Sequence, residues 1–172
     1  MTFQGIHNQY AELYILEIDK TQVLTENNDL WLKIFLNVSA FMGSWQAADT
    51  SLTLNDARRL IRWLEDLSSP DKEASNHLFF AEPNLSFYHL NTRETGKTIK
   101  LDFNLELRPG DAKDKEKYFL TCRLSDAQLA ELADDLAYDL QTMLDRASGI
   151  RTNNSSRIIN DYEFTKSRFV YS

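Results

Sequence analysis

A single cysteine, Cys122, stands in 172 residues, which excludes an internal disulfide and a thiolate zinc cluster. The three histidines, His7, His77 and His89, show no metal-ligand spacing. Five glycines are too few and too scattered for a phosphate-cradling loop or a dinucleotide fingerprint. The longest apolar run is far short of the ~18 residues a membrane span requires. Met1 to Gln9 is polar and lacks an apolar h-region, so no signal peptide is expected. Positive charge is also in deficit. With 19 Lys and Arg against 26 Asp and Glu, the net charge is −7 and the pI is about 5.0. That balance disfavours broad binding to nucleic acid or anionic membrane and suits a basic protein partner. A cytoplasmic location is the expectation.

The chain is nevertheless 42% hydrophobic and 12% aromatic, too apolar for a disordered polymer and long enough for one domain with a real core. Leu13 to Asp19 reads as a short strand, followed by a polar loop over Lys20 to Asp29. Leu30 to Ala40 alternates cleanly. Leu30, Leu32, Ile34, Leu36, Val38 and Ala40 occupy one face and Trp31, Lys33, Phe35, Asn37 and Ser39 the other. Met42-Gly43 marks a tight hairpin and Ser44 to Leu52 the return strand. Trp31, Phe35 and Trp45 are assigned to the second, partly covered face. A helix follows with Asn55 as N-cap, Leu60, Ile61, Leu64 and Leu67 as its buried stripe, and Trp63 beside the stripe. Asn76 to Ala81 and Asn84 to Asn91 alternate around Glu82-Pro83, and Ile99 to Leu107 reads as a strand with Leu105 inward. Tyr118 to Arg123 is the last strand.

That strand feeds the segment around which the chain is organised, Ser125 to Arg146. Ser125-Asp126-Ala127-Gln128 is a capping box, and Leu129, Leu132, Ala133, Leu136, Leu140, Met143 and Leu144 recur at helical spacing. From Asp126 to Arg146 six carboxylates meet one base, so the helix carries −5 of the chain's −7. Glu131, Asp134, Asp135, Tyr138 and Asp145 lie opposite the apolar stripe. Glu131 and Asp135 sit at i,i+4, where like charges cost a few tenths of a kcal/mol, roughly. The plain account of this side is solvated surface; the functional account is a docking face for something basic.

Both helices follow a strand and open alike, through Leu54-Asn55-Asp56-Ala57 and Leu124-Ser125-Asp126-Ala127, which hints at two related halves. The expected fold is α+β: a bent or split antiparallel sheet of about six or seven strands with two helices, with the repeated helix entry suggesting two meander-plus-helix halves. Residues 1–147 are assigned to one domain. The stretch 148–172, with Tyr162, Phe164, Phe169 and Tyr171, is assigned to an extension, partly mobile or docked as an edge strand.

Candidate reactive groups are sparse. Cys122 and His89 read more simply as a buried thiol and a sheet-face histidine than as a nucleophile pair. Glu82 reads as part of a turn held by its own carboxylate and by Asn84. The aromatics Trp31, Phe35 and Trp45 offer an alternative function, a small-molecule or peptide-binding module built on an aromatic sheet face.

At Phe80-Ala81-Glu82-Pro83-Asn84-Leu85-Ser86-Phe87 the sequence resembles the WapI-type immunity proteins, partners of bacterial WapA-type polymorphic toxins. Glu82 to Phe87 matches the Glu-Pro-Asn-Leu-Ser-Phe core of that family. Trp45, Trp63-Leu64, Leu105-Glu106-Leu107-Arg108-Pro109 and the helix entry Leu124-Ser125 fit in the same order. The similarity spans roughly Leu13 to Leu144. The resemblance implies a non-enzymatic protein without cofactor or metal, which binds a cognate toxin domain, commonly a nuclease acting on tRNA, and blocks it. It supplies no contact residues. Glu131, Asp134, Asp135, Tyr138 and Asp145 are expected to form the contact face from charge alone, because RNase domains tend to be basic and complementary charge speeds docking. Whether the chain forms a homo-oligomer is undetermined from sequence.

Overall fold

The computed structural model describes residues 1–19, 29–93, 96–113 and 115–148. The polar loop expected at Lys20 to Asp29 falls, but for Asp29, outside these residues, as does the extension beyond Ser148. Among the described residues, eight strands and two helices follow in chain order. The first half holds β1 (Thr2–Gln4), β2 (Tyr10–Asp19), β3 (Trp31–Ala40), β4 (Gly43–Thr53) and α1 (Leu54–Ser68). The second holds β5 (His77–Phe79), β6 (Leu85–Arg93), β7 (Gly96–Phe103), a 3-10 turn at Leu105–Leu107, β8 (Tyr118–Leu124) and α2 (Asp126–Ala147). Each half is an antiparallel meander, β1-β2-β3-β4 and β5-β6-β7-β8, that runs into its helix. The expected α+β class and split sheet are observed, with eight strands in place of six or seven. The uncounted strand β1 lies in the stretch read as merely polar, where Met1 and Phe3 are buried.

Alternation decides which residues meet between the sheets. Leu32, Ile34, Leu36 and Val38 of β3 face inward, as the pattern requires. In β4, Trp45 lies opposite Val38 and therefore shares the inward face. Its ring meets Phe103 at 5.5 Å and Tyr118 at 5.6 Å, and its Nε1–H donates to the Leu107 carbonyl at 2.9 Å. The expectation that Trp45 joins Trp31 and Phe35 on one face is overturned by this register. Trp31 is buried at the start of β3, and Phe35 meets Tyr14 across the outer face at 6.3 Å. Bulges in β2 after Ile15 and in β4 at Ser51 each shift the alternation by one residue. The second bulge lets Leu52 point inward opposite Leu32. Gly43 takes φ +125° at the β3–β4 turn, as anticipated. Gly5 bridges to Cys122 of the other sheet, and a Cβ there would stand 2.7 Å from Leu120 Cδ1, so a larger residue would make the Leu120 side chain shift.

Helix α1 begins two residues earlier than expected. Thr53 is the N-cap: its side chain accepts from the Asp56 N–H at 3.1 Å, and the Asp56 carboxylate accepts from the Thr53 N–H at 3.2 Å. Asn55 is exposed, its own N–H donating to the Asp29 carboxylate. Trp63 packs into the core beside Leu60, Leu64 and Leu67 while Ile61 is half-buried, reversing the expected order of the two. Helix α2 is capped as predicted by Ser125 and Gln128, and Leu129, Leu132, Ala133, Leu136 and Leu140 are buried. Leu105 departs from its expectation: β7 ends at Phe103, and Leu105 is exposed at φ +48°.

The Glu82–Phe87 string is a seam between the halves. Asn84 donates from Nδ2 to the Asp49 carboxylate at 2.9 Å and to Ser51 Oγ at 3.1 Å. Its carbonyl accepts from the Asn104 N–H at 2.8 Å. Upstream, the Ala81 N–H donates to Asp56 at 3.2 Å. Downstream, Phe87 lies 5.5 Å from Phe3, 5.9 Å from Trp63 and 5.9 Å from Phe80. Glu82, expected to hold this turn, is exposed and makes no hydrogen bond among the described residues. No described helix is long and apolar enough to cross a membrane.

Asp56, 2% exposed, takes N–H groups from residues 53 and 81 and the Arg59 guanidinium at 3.1 Å. Asp56→Ala removes one half of the capping box and strands these donors, and is expected to cost about 3 kcal/mol. The check is a urea titration, in which the midpoint falls and the slope is unchanged.

Candidate functional site

Helix α2 packs against α1, β2 and β8 through its apolar stripe and leaves the opposite side to solvent. Three of its six carboxylates are engaged. Asp126 pairs with Lys97 of β7. Asp139 is half-buried and lies 3.9 Å from the Met1 α-ammonium, which donates to the Leu13 carbonyl at 3.1 Å. Burial raises the Asp139 pKa; the ammonium opposes this and the neighbouring Asp135 adds to it. Asp145, one of the five expected contact residues, is half-buried and accepts from Gln141 Nε2 at 2.7 Å.

Glu131, Asp134 and Asp135 remain. All three are exposed and none has a cation partner among the described residues. Tyr138, 51% exposed, stands one turn beyond them. Positions 131, 134, 135 and 138 follow i, i+3, i+4, i+7, so these four side chains share one strip of the helix. The strip brings together four of the five expected residues. Asp145 sits at its end with part of its hydrogen-bonding capacity already used. Sequence spacing placed Asp145 correctly on the wheel but carries no sign of its neighbour's bond.

The arrangement offers fixed negative charge around one aromatic ring. No group of three or more metal-ligating side chains occurs among the described residues. Cys122 is buried, and burial pushes its thiol up to about 12. His89 pairs with Ile99, which pairs with Cys122 on its other side, so two strand spacings of about 4.8 Å separate histidine from cysteine. His89 is half-buried, shares a 3.0 Å hydrogen bond with Thr92 and is shifted down, chiefly by burial. An open cleft of about 550 Å³ lies between Leu16–Asp19 of β2 and Met143, Arg146 and Ala147 of α2. None of the expected aromatics lines it.

A feature that escaped the sequence reading lies on the outer face of the second sheet, where Phe79 and Phe119 are 49% and 40% exposed. Strand alternation alone marks both as outward. Only the register shows that they lie in one row.

Fold and surface together define a two-sheet α+β protein that presents an acidic helix strip with a tyrosine at its end. A family model described as the immunity protein WapI-like family matches residues 2–143, and the chain belongs to that family. Membership supports an immunity role with a toxin protein as partner. Among solved structures, the plant transcriptional regulator PBF-2 is similar over 87% of this chain and 92% of that chain, at 10% identity and a TM-score of 0.42. The search of curated proteins finds no match.

Thiolate, not thiol, is the attacking form, so a buried Cys122 at about 12 is nearly all thiol at pH 8. Iodoacetamide is expected to modify it at least about 100-fold more slowly in the native chain than in urea. Mass spectrometry over a time course reads the two rates, and equal rates would contradict the burial.

Proposed function

We propose that this chain neutralises a cognate bacterial toxin domain by binding over its active or RNA-binding surface, the toxin being a nuclease of the kind that cleaves tRNA. The observation that carries the reading is the uncompensated strip Glu131, Asp134 and Asp135 beside Tyr138 on a helix otherwise satisfied by the fold. A nuclease domain that holds a polyanion presents basic side chains, and a rigid acidic strip competes for them. Asp145 extends the strip toward the helix C-terminus. Tyr138 supplies the apolar anchor that a purely charged contact lacks. The chain acts in stoichiometric complex, in the cytoplasm where a nuclease meets its RNA, without cofactor or catalysis. The alternative of a small-molecule module on Trp31, Phe35 and Trp45 loses its support, because Trp45 is spent in the core.

Co-expression with the toxin domain encoded immediately upstream is expected to restore growth and yield a stable complex. Asp134→Lys/Asp135→Lys is expected to raise Kd by more than about tenfold, chiefly through slower association, with the melting temperature nearly unchanged because both sites are exposed. Surface plasmon resonance at two salt concentrations checks it: the wild-type on-rate falls with salt and that of the variant does not. An affinity that survives the double reversal would leave this strip as solvated surface.

A further inference from the structure

The outer face of the second sheet holds an aromatic cluster with a cation at its centre. Alternation turns Leu78, Phe87, Leu101 and Leu120 inward and leaves the other side to Phe79, Tyr88, Lys100 and Phe119. The register sets two rows across all four strands: Phe79, Ser86, Asp102 and Phe119, then His77, Tyr88, Lys100 and Thr121. Phe79 meets Tyr88 edge-on at 5.7 Å. Lys100 Nζ lies 4.7 Å from the Tyr88 centroid and 5.7 Å from that of Phe119, and it pairs with Asp102 at 2.8 Å. The cluster is therefore tied together by cation–π contacts and is already ordered.

The solvated face of an antiparallel sheet is ordinarily polar, so aromatic rings this exposed at both ends of a row call for a cover. Aromatic side chains on a preordered surface are the residues that dominate protein–protein affinity. The Lys100–Asp102 pair is balanced, so covering it strands no lone charge. Arg123, exposed on the same face of β8, has no carboxylate partner among the described residues. A surface complementary to this face presents apolar side chains beside a carboxylate. Single-stranded nucleic acid also stacks on aromatic sheets, but a chain of net charge −7 whose central lysine is neutralised repels a polyanion.

We infer that this sheet face is a second contact surface for the toxin domain, engaging an apolar patch that carries a carboxylate opposite Arg123. The inference rests on the immunity reading proposed above and divides the labour: the acidic strip steers, and the aromatic face holds. The test is calorimetry and surface plasmon resonance with the purified, catalytically inactivated toxin domain. Phe79→Ala/Phe119→Ala is expected to raise Kd by at least about thirtyfold, mainly through faster dissociation, with little change in melting temperature. Arg123→Glu is expected to raise it by about threefold or more, and it decides the matter should the double variant fail to fold. Wild-type affinity in Arg123→Glu and in a folded double variant, alongside weakened binding in Asp134→Lys/Asp135→Lys, would overturn the sheet face and leave the immunity reading standing. Absence of any wild-type complex would overturn both. Binding of a single-stranded RNA oligonucleotide that the double variant abolishes, with toxin affinity intact, would also overturn the inference.

Discussion

The structure depends on one polar seam where the two meander-plus-helix halves meet. The carboxylates of Asp49 and Asp56, from the end of β4 and the start of α1, accept from the Asn84 amide and the Ala81 N–H of the other half. These groups lie at the edge of an apolar core, where an unmade hydrogen bond costs about 1–3 kcal/mol. The seam therefore sets how the halves are joined, while burial supplies the driving force. Phe87, three residues past Asn84, then meets β1 through Phe3 and α1 through Trp63. The string that carries the family resemblance is thus explained by architecture. Its polar member clips the halves together and its aromatic member fills the space between them.

The interior is taken up by packing. Trp45 and Trp63 spend their N–H groups on carbonyls from distant segments, Cys122 is a packed thiol, and His89 is separated from it by Ile99. Both proposed contact faces are held by rigid elements. The strip on α2 has a capped helix behind it, and the aromatic cluster has four paired strands behind it. Preordered faces of this kind lose little entropy on docking, which favours tight complexes.

Much of the fold was legible because the signals are local. The inward face of β3, the turn at Gly43, the Ser125–Gln128 box and the stripe of α2 each depend on residues within a few positions of one another. The duplicated strand-to-helix entries likewise announced two halves. Errors arose where a partner lies far along the chain. Thr53 displaced Asn55 as cap because Asp56 completes its box and also receives Ala81, 25 residues on. Met1 to Gln9 looked polar, yet one phenylalanine in it meets Phe87.

The sequence by itself determined most of the elements, the charge of the second helix and the strip formed by Glu131, Asp134, Asp135 and Tyr138, because local spacing and side-chain chemistry suffice for these. Tertiary structure decided which carboxylates stay uncompensated, since Asp126 and Asp139 find cations only through folding. It also decided that Trp45 belongs to the core and that Phe79, Tyr88, Lys100 and Phe119 form one surface. Alternation tells which side of its own strand a residue takes. Only strand register, set by bulges, turns and the packing of one sheet on the other, tells which residues on that side are neighbours.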